Sequence, residues 1–381
     1  MLGLYSVVYD YPGIMPGMPT LDSLRHQAQL AFIASGQDIE LGHPGLCPRT
    51  PLQLAALEPG GDGVLTTLSS GLTAWVHQLQ QGGVGYAIKK ARPQCLVQNL
   101  DGQTSFLNEL QRRRDIAEIQ TRQGGFAGMV PTLYGSLAHG IIVSPWIEGG
   151  TVQQWDERTL LQLFDSGAEL VRHGLFEWDY CPGNLLDDGQ RLWLFDFGYM
   201  YRFDPLRQFN SAGMGNDVPQ HHLAERFETR NYFAWLLQLG QARGQDATLA
   251  AFRLEKEIAL ECYLRLRADL NAAGATLDVR DWLDGIIKHW RQALKGELEA
   301  LYWQEGWRSH RLDLDDDLRG QTCTPRTLAR CDWLLDAVTQ HHDTLRACGA
   351  LADETVAPDR RTLLAHYRQL REQAEGFQVT T

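Results

Sequence analysis

A short segment in the middle of the chain restricts the fold more than any other feature of the sequence. Residues 183–200 predict two short β-strands on either side of an Asp-Asp-Gly turn, within a region that otherwise has helical periodicity. Asp179 precedes the first strand, Asn184 lies at its start, and Asp196 follows the second strand in an Asp-Phe-Gly tripeptide. Because the two strands of a hairpin lie side by side, this pattern brings three oxygen-bearing side chains close together.

The segments around this hairpin differ in their periodicity. Between about residues 64 and 145, strand-like runs alternate with Gly-containing turns and with one polar helix at about 104–120. After Gly149-Gly150 the chain is mainly helical, because apolar residues recur every three or four positions from Leu160 onward. We therefore predict the α+β class, with a small β-rich lobe that contains one helix and a larger α-helical lobe.

The first sixty residues precede both lobes and are rich in Pro and Gly. They contain one predicted helix at 21–35 and are followed by a Gly-rich turn. We divide the chain into an N-terminal extension of residues 1–60, a small lobe of residues 61–147 and a large lobe of residues 148–381, whose carboxy-terminal region has an atypical helical pattern. A targeting arm, an autoinhibitory cover and packing on the small lobe all remain open for the extension.

The spacing of Asp179, Asn184 and the Asp-Phe-Gly tripeptide resembles the layout of a kinase active site, and these residue types suit phosphoryl transfer. Transfer from ATP requires a cation that neutralises the phosphates, and Mg²⁺ prefers oxygen ligands such as those of Asn184 and Asp196. Asp179 is placed to accept the proton of an attacking hydroxyl group. In the β-rich region Lys89 ends the sequence Tyr-Ala-Ile-Lys, and Glu109 lies twenty residues later on the predicted helix, where it can pair with that Lys.

The order and spacing of these elements resemble those of the protein-kinase-like superfamily. The resemblance covers about residues 64–200 and implies a bilobal kinase fold. It also implies ATP with Mg²⁺ as cofactors, with Mn²⁺ as the alternative metal, and phosphorylation of a hydroxyl group. The residues that it implicates are Asp179, Lys89 and Glu109 in catalysis, Asn184 and Asp196 as metal ligands, Ser69, Ser70 and Gly71 in a phosphate-binding loop, and Ser144, Trp146 and Ile147 in an interlobe linker that faces the adenine.

The resemblance is incomplete at several points. Gly71 is the one glycine kept of the three in the phosphate-binding loop, and Ser residues precede it. The His-Arg pair that precedes the catalytic Asp in the family is Glu177-Trp178 here, and the usual Lys two residues after that Asp is Cys181. The Asp-x-x-Pro-Gly-Asn ending is similar to that of aminoglycoside and choline phosphotransferases. No Ala-Pro-Glu follows Asp-Phe-Gly, so control by phosphorylation of an activation segment is not expected.

Several functions are consistent with these motifs. We favour a phosphotransferase that moves the γ-phosphate of ATP to a Ser, Thr or Tyr hydroxyl of a protein. A small-molecule acceptor, such as a sugar, an aminoglycoside or a lipid head group, remains open, because the Asp-x-x-Pro-Gly-Asn ending and the long helical carboxy-terminal region favour it. A nucleotide-binding pseudokinase scaffold and a kinase-fold AMP transferase are further alternatives.

Charge and cysteine content exclude other classes. The formal net charge of −12 argues against nucleic acid or an anionic membrane surface as a partner. No run approaches the roughly 20 apolar residues of a membrane span, and the amino-terminal segment has neither a Lys or Arg before Arg25 nor a continuous apolar core. Seven cysteines without a Cys-x-x-Cys pair predict neither a disulfide framework nor a zinc site. We therefore expect a cytoplasmic protein, with secretion without a cleaved signal peptide left open.

Two runs of like charge are interpreted as solvated surface. Arg112-Arg113-Arg114 is expected to form an exposed helix face, with Arg112 or Arg113 paired with Glu109. The acidic run from Asp313 to Asp317 lacks the spacing of a calcium-binding loop and is expected to form a solvated turn.

Overall fold

The computed structural model of the chain describes residues 19–97 and 99–379. These residues form a lobe with one large antiparallel sheet and a lobe that is mainly helical, so the predicted α+β class with two unequal lobes is confirmed. The amino-terminal segment that we judged unsuited to a signal peptide lies largely outside the described residues.

The small lobe is built on a six-stranded antiparallel sheet, with the strand order β1-β5-β6-β4-β3-β2. Lys89 lies in the middle of this sheet, opposite Val76 on one neighbouring strand and Ile142 on the other. The edge strand β1 comes from the predicted N-terminal extension and pairs with β5. The strands are β1 Glu40–Gly42, β2 Val64–Leu68, β3 Ala74–Gln81, β4 Val84–Ala91, β5 Tyr134–Ser136 and β6 Ile141–Pro145.

Three helices belong to the small lobe: α1 Leu21–Ala34, α2 Pro51–Ala55 and α3 Leu100–Gln123. The helix predicted at 21–35 is confirmed. The helix predicted at 104–120 is longer, because the Asn99 side chain accepts a hydrogen bond of 2.8 Å from the Gly102 amide and caps its first turn. Helix α3 ends at Gln123 and is followed by Gly124, whose positive φ of 75° is a backbone conformation that glycine adopts most readily. Leu107 and Leu110 pack α3 against the sheet.

The large lobe contains eight α-helices in the described part of the chain. Of the apolar positions predicted on the first of them, Leu160 and Phe164 are fully inaccessible and Ala168 is buried, whereas Val171 is partly buried. The acidic run from Asp313 to Asp317 is helical, so its interpretation as a turn is wrong. None of the described helices is long and apolar enough to cross a membrane. They are α4 Glu157–Arg172, α5 Leu223–Phe227, α6 Phe233–Arg243, α7 Gln245–Ala272, α8 Leu277–Gln292, α9 Leu298–Gly320, α10 Pro325–Ala347 and α11 Arg360–Gly376, with π-helical turns at Glu228–Tyr232 and Ala293–Glu297.

Five short strands of the large lobe lie next to the small lobe. The predicted hairpin is confirmed as β9 and β10, with Leu185 opposite Leu194. Strand β8 pairs with β11, with Glu177 opposite Met200. These two pairings place the loop that carries Asp179 beside the Asp-Phe-Gly segment. The strands are β7 Gly150–Thr151, β8 Leu175–Glu177, β9 Leu185–Asp187, β10 Leu192–Leu194 and β11 Met200–Arg202.

Candidate active site

The ammonium group of Lys89 is shared by two carboxylates from distant parts of the chain. It lies 2.6 Å from Oε2 of Glu109 on α3 and 2.6 Å from Oδ1 of Asp196. Burial alone would lower the pKa of Lys89, but the charges of Asp196 and Glu109 raise it. The lysine is therefore held in its charged form between the two lobes, and the structure brings together the three residues that the motifs singled out.

Glu109 is the most deeply buried member of this group, with 1% of its side chain exposed. Arg113 donates from Nε to its second oxygen at 2.8 Å. Burial would raise the pKa of Glu109, but Lys89 and Arg113 hold it below its ordinary value. The expected pairing of an arginine with Glu109 is therefore present. The expected solvated face is wrong for Arg112 and Arg113, which are buried because each pairs with a carboxylate on its own helix.

The Asp-Phe-Gly segment holds Asp196 in a strained backbone conformation. Its φ of 64° and ψ of 71° are left-handed, which costs a residue other than Gly about 1 kcal/mol or more. Phe197 is buried in the core of the large lobe, and Ser105 on α3 lies against Gly198. The strain persists because these contacts fix the residues that follow Asp196. In this left-handed conformation the Asp196 carboxylate contacts Lys89.

Asp179 is oriented by two side-chain donors. Its Oδ2 accepts a hydrogen bond of 3.1 Å from Nδ2 of Asn184, and its Oδ1 accepts one of 3.0 Å from Nε of Arg230. The amide of Phe195 donates to the carbonyl of Asn184 at 3.2 Å, which ties the turn before β9 to the residue before Asp196. Asp179, Asn184 and Asp196 are therefore brought to neighbouring positions, as the hairpin pattern predicted.

Glu177 occupies the place where the kinase resemblance would have a histidine. Its Oε1 accepts a hydrogen bond of 2.7 Å from the Asp179 amide, and its Oε2 is buried with no hydrogen-bond partner among the described residues. Burial raises the pKa of Glu177 well above its ordinary value, and the charges of Asp179 and Asp196 add to this effect. The side chain is therefore a buried acid that positions the Asp179 backbone.

The analysis of motifs missed three residues that hold the loop around Asp179. Arg226 donates to the carbonyl of Trp178 at 3.1 Å, and Asn231 donates to the carbonyl of Tyr180 at 3.0 Å. Arg230 lies between them in the chain and reaches Asp179 itself. Two of the three are in the π-helical turn between α5 and α6, a feature that is frequent at functional sites. No local motif marks these residues, because their partners lie about fifty residues earlier in the chain.

Aspartates of the acidic run on α9 form ion pairs with two of these arginines. Arg230 forms an ion pair with Asp313, and Arg226 lies 3.2 Å from Asp316. Arg330 on α10, which is fully buried, contacts the other oxygen of Asp313 at 2.7 Å. The run is helical and partly buried because it neutralises these cations. The acidic run itself was a visible signal in the sequence, but the partners are too distant in the chain to be assigned from it.

The predicted phosphate-binding loop lies exposed between β2 and β3. Arg92 donates to the carbonyl of Gly71 at 2.7 Å and also to that of Ser69. A Cβ atom at Gly71 would lie 2.6 Å from the carbonyl oxygen of Ala74, so only glycine fits the backbone here without a shift. Ser70 lies between these anchored residues. The roles of the three loop residues in nucleotide binding stay a prediction.

The interlobe linker is partly engaged by the sheet. Ser144 is buried and lies opposite Ala87 on β4. The amide of Trp146 donates to the carbonyl of Gly85 at 3.0 Å, so this N–H belongs to the sheet. The Trp146 indole nitrogen is buried without a partner within the described ranges, and Ile147 is half-buried. The contribution of the remaining linker groups stays a prediction.

The donor set fits a magnesium–nucleotide complex. Asn184 and Asp196 offer oxygen atoms, which suit a hard cation. Among the described residues there is no group of three or more His, Cys, Asp or Glu side chains that could hold a metal. A Mg²⁺ ion bound with a nucleotide normally takes only one or two protein carboxylates and completes its shell with phosphates and water. Two neighbouring oxygen donors beside a charged lysine are consistent with that arrangement.

A comparison with solved structures finds distant similarity to kinase domains. The chain is similar to the BubR1 kinase domain, with 18% identity over 48% of this chain and 60% of that chain and a TM-score of 0.29. It is similar to the Mycobacterium tuberculosis PknI kinase domain, with 17% identity over 62% of this chain and 100% of that chain and a TM-score of 0.31. The likeness to the bifunctional kinase-methyltransferase WbdD has 18% identity over 50% of this chain and 44% of that chain, with a TM-score of 0.29.

No protein-family profile and no curated protein sequence matches the chain. Likenesses as distant as those to the kinase domains carry no conclusion about activity. The chain itself has the two-lobed fold that the kinase resemblance implies, because an antiparallel small-lobe sheet, a helix that carries the partner of Lys89 and a helical second lobe occur in the expected order.

Proposed function

We propose that the chain is an ATP- and Mg²⁺-dependent phosphotransferase with a hydroxyl group as acceptor. The observation that carries this proposal is the position of Lys89 between Glu109 and Asp196, at 2.6 Å from each. A partly exposed lysine held charged by two carboxylates, one of them beside two further oxygen donors, suits a polyphosphate and its metal ion. A structural ion pair alone would not require the strained backbone at Asp196.

Each residue then has a role that its contacts support. Lys89 binds the phosphates, and Glu109 keeps its ammonium group extended. Asn184 and Asp196 hold Mg²⁺, which neutralises the phosphate charge when bound. Asp179 orients the acceptor hydroxyl and accepts its proton, because Arg230 and Asn184 fix both of its oxygens.

The acceptor that we favour is a Ser, Thr or Tyr hydroxyl of a protein. A small-molecule acceptor is the second candidate, and the long helical region from α6 to α11, together with the Asp-x-x-Pro-Gly-Asn ending, favours it. The complete set of Lys89, Asp179, Asn184 and Asp196 argues against a pseudokinase scaffold, because binding alone does not need all four. A cytoplasmic location remains part of the proposal and rests on the cysteine pattern.

The test compares the wild type with Asp179→Asn, which keeps the shape of the side chain, and with Asp165→Asn, an exposed control on α4 with 63% of its side chain accessible. Each protein is incubated with γ-labelled ATP, with Mg²⁺ or Mn²⁺, and with generic proteins, cell lysate or a small-molecule extract. Label on protein that is lost only in Asp179→Asn supports the favoured acceptor. ATP consumption that rises with the extract and needs Asp179 supports the second.

Two other outcomes overturn the proposal. Label that is transferred from α-labelled but not from γ-labelled ATP identifies an AMP transferase. Nucleotide binding without transfer to any acceptor, in folded protein, identifies a pseudokinase.

A further inference from the structure

Helix α1 from the predicted N-terminal extension packs directly against α3. Gln29 is 3% exposed, and its Nε2 donates at 3.1 Å to Oδ1 of Asn108, which is 1% exposed. Asn108 is the residue next to Glu109 on α3. A buried amide pair of this kind is costly to break, because Nε2 of Gln29 and Oδ1 of Asn108 would each lose a hydrogen bond away from solvent.

Asn108 also holds the segment that follows the Asp-Phe-Gly tripeptide. Its Nδ2 donates to the carbonyls of Gly198 at 2.9 Å and Met200 at 2.8 Å. Because Gln29 donates to the oxygen of the same amide, it fixes which end of Asn108 faces these carbonyls. One side chain of α1 therefore supports the orientation of the residue that joins α3 to the Asp196 segment.

Asp101, in the first turn of α3, is a second point at which α1, α3 and β11 are in contact. It accepts hydrogen bonds from the Tyr201 hydroxyl at 2.7 Å, from Arg25 at 3.0 Å and from Nε2 of His26 at 2.9 Å. The guanidinium of Arg25 also lies 3.6 Å from the centre of the Tyr201 ring. Burial would raise the pKa of Asp101, but His26 and Arg25 lower it to about 2. Two side chains of α1 thus meet α3 and β11 at one carboxylate.

The start of α1 reaches the large lobe. The amide of Leu21 donates to the carbonyl of Gly213 at 2.7 Å, and the amide of Gly213 donates to Asp22 at 3.1 Å. Gly213 lies in the loop that follows β11. Helix α1 therefore contacts α3, β11 and this loop at once, and its contacts connect the two lobes on the side of the site where Glu109 and Asp196 meet Lys89.

We propose that α1 is a built-in clamp that holds α3 and the Asp196 segment in the arrangement required for phosphoryl transfer, with Gln29 and Asp101 as its positioning residues. The expected effect of α1 on turnover rests on the proposed function, whereas its expected effect on the order of α3 and the Asp196 segment does not. We expect loosening of α1 to loosen both α3 and the Asp196 segment, because Gln29 and Arg25 hold Asn108 and Asp101, which join α3 to that segment.

The test uses full-length protein and four variants: Gln29→Glu, Asp101→Asn, the double variant and the control Gln27→Glu. Glu at position 29 places a carboxylate oxygen against Oδ1 of Asn108, whereas Gln27 is exposed on the same helix. Hydrogen exchange is measured for residues 100–110 and 197–202, and turnover is measured with the best acceptor found. We expect Gln29→Glu and Asp101→Asn each to speed exchange in both segments by about tenfold and to lower kcat by a similar factor, with Gln27→Glu unchanged.

Each outcome bears on the inference. Unchanged exchange in both single variants, or faster exchange with unchanged kcat, overturns the clamp. If the double variant does not fold, Asp101→Asn alone decides, because it keeps the size of the side chain and removes only its charge. If the wild type transfers no phosphate but exchange is faster in both segments of the two single variants, the clamp is supported as a structural device and the proposed function is rejected, so the two failures are distinguishable.

Discussion

Nε of Arg230 lies 3.0 Å from Oδ1 of Asp179, although 51 residues separate the two in the chain. Burial would lower the pKa of Arg230, but Asp313 and Asp179 raise it well above its ordinary value. The family resemblance leads one to expect a lysine two residues after Asp179, where this chain has Cys181. The cation beside Asp179 comes instead from the π-helical turn of the large lobe, and Asp313 anchors it to α9.

The first prediction concerns this cation. Arg230→Gln removes the charge that orients Asp179, and we expect kcat to fall by about 100-fold with little change in the KM for ATP. Arg230→Lys should recover part of this loss, because a lysine keeps the charge without the planar guanidinium. The measurement is steady-state kinetics of both variants beside Arg243→Gln, an exposed control on α6. A folded Arg230→Gln protein with the kcat of the wild type would contradict the assigned role.

A second prediction compares two neighbouring lysines on β4. Lys89→Ala removes the ammonium group between Glu109 and Asp196, and we expect kcat/KM for ATP to fall by about 100-fold or more. Lys90→Ala removes a surface pair with Glu58, whose side chain is 71% exposed, and should stay within about twofold of the wild type. Kinetics and a binding titration with ATP distinguish the two variants. Equal losses in both would show that Lys89 has no special role.

Much of the site was predictable from the sequence because its motifs are local. The spacing of Asp179, Asn184 and Asp196 around a hairpin follows from strand pairing, and the structure brings these residues together as that pattern requires. The resemblance to kinases predicted the ion pair of Lys89 with Glu109, twenty residues later, and the structure contains it. The two-lobed α+β class followed from the change in periodicity after the linker.

What the sequence did not reveal depends on contacts between distant segments. Arg230 has no local signature, and its position depends on a π-helical turn that periodicity does not predict. The acidic run looked like a solvated turn because its buried partner Arg330 belongs to another helix. Gln29 and Asn108 are ordinary polar residues in sequence, and only their burial against each other shows that they matter.

A third prediction concerns the loop between β2 and β3. Gly71→Ala brings a Cβ atom to 2.6 Å from the carbonyl oxygen of Ala74, so the loop must shift away from its contacts with Arg92. We expect the KM for ATP to rise by about fivefold to tenfold while kcat changes less, because the loop binds rather than reacts. Gly285→Ala on α8, where nothing lies within 4 Å of the added atom, is the matched control. An unchanged KM in Gly71→Ala would remove this loop from the nucleotide site.

The last prediction uses the buried acid beside Asp179. Because the folded-state pKa of Glu177 is raised well above 4.5, the stability that it contributes is fully present below about pH 4.5 and is lost as pH rises toward the folded-state pKa. Glu177→Gln removes this loss but keeps an oxygen that can accept from the Asp179 amide. The difference in unfolding free energy between variant and wild type should therefore grow with pH, by up to about 1.4 kcal/mol per unit above pH 4.5.

Urea unfolding of both proteins between pH 4.5 and 8 measures this difference. Glu118→Gln on α3, whose side chain is 50% exposed, serves as the control and should show a nearly constant difference from the wild type. A constant difference for Glu177→Gln as well would mean that Glu177 titrates alike in the folded and unfolded chains. Burial would then not change the titration of this acid, and its role in the Asp179 loop would be limited to the hydrogen bond that it accepts from the Asp179 amide.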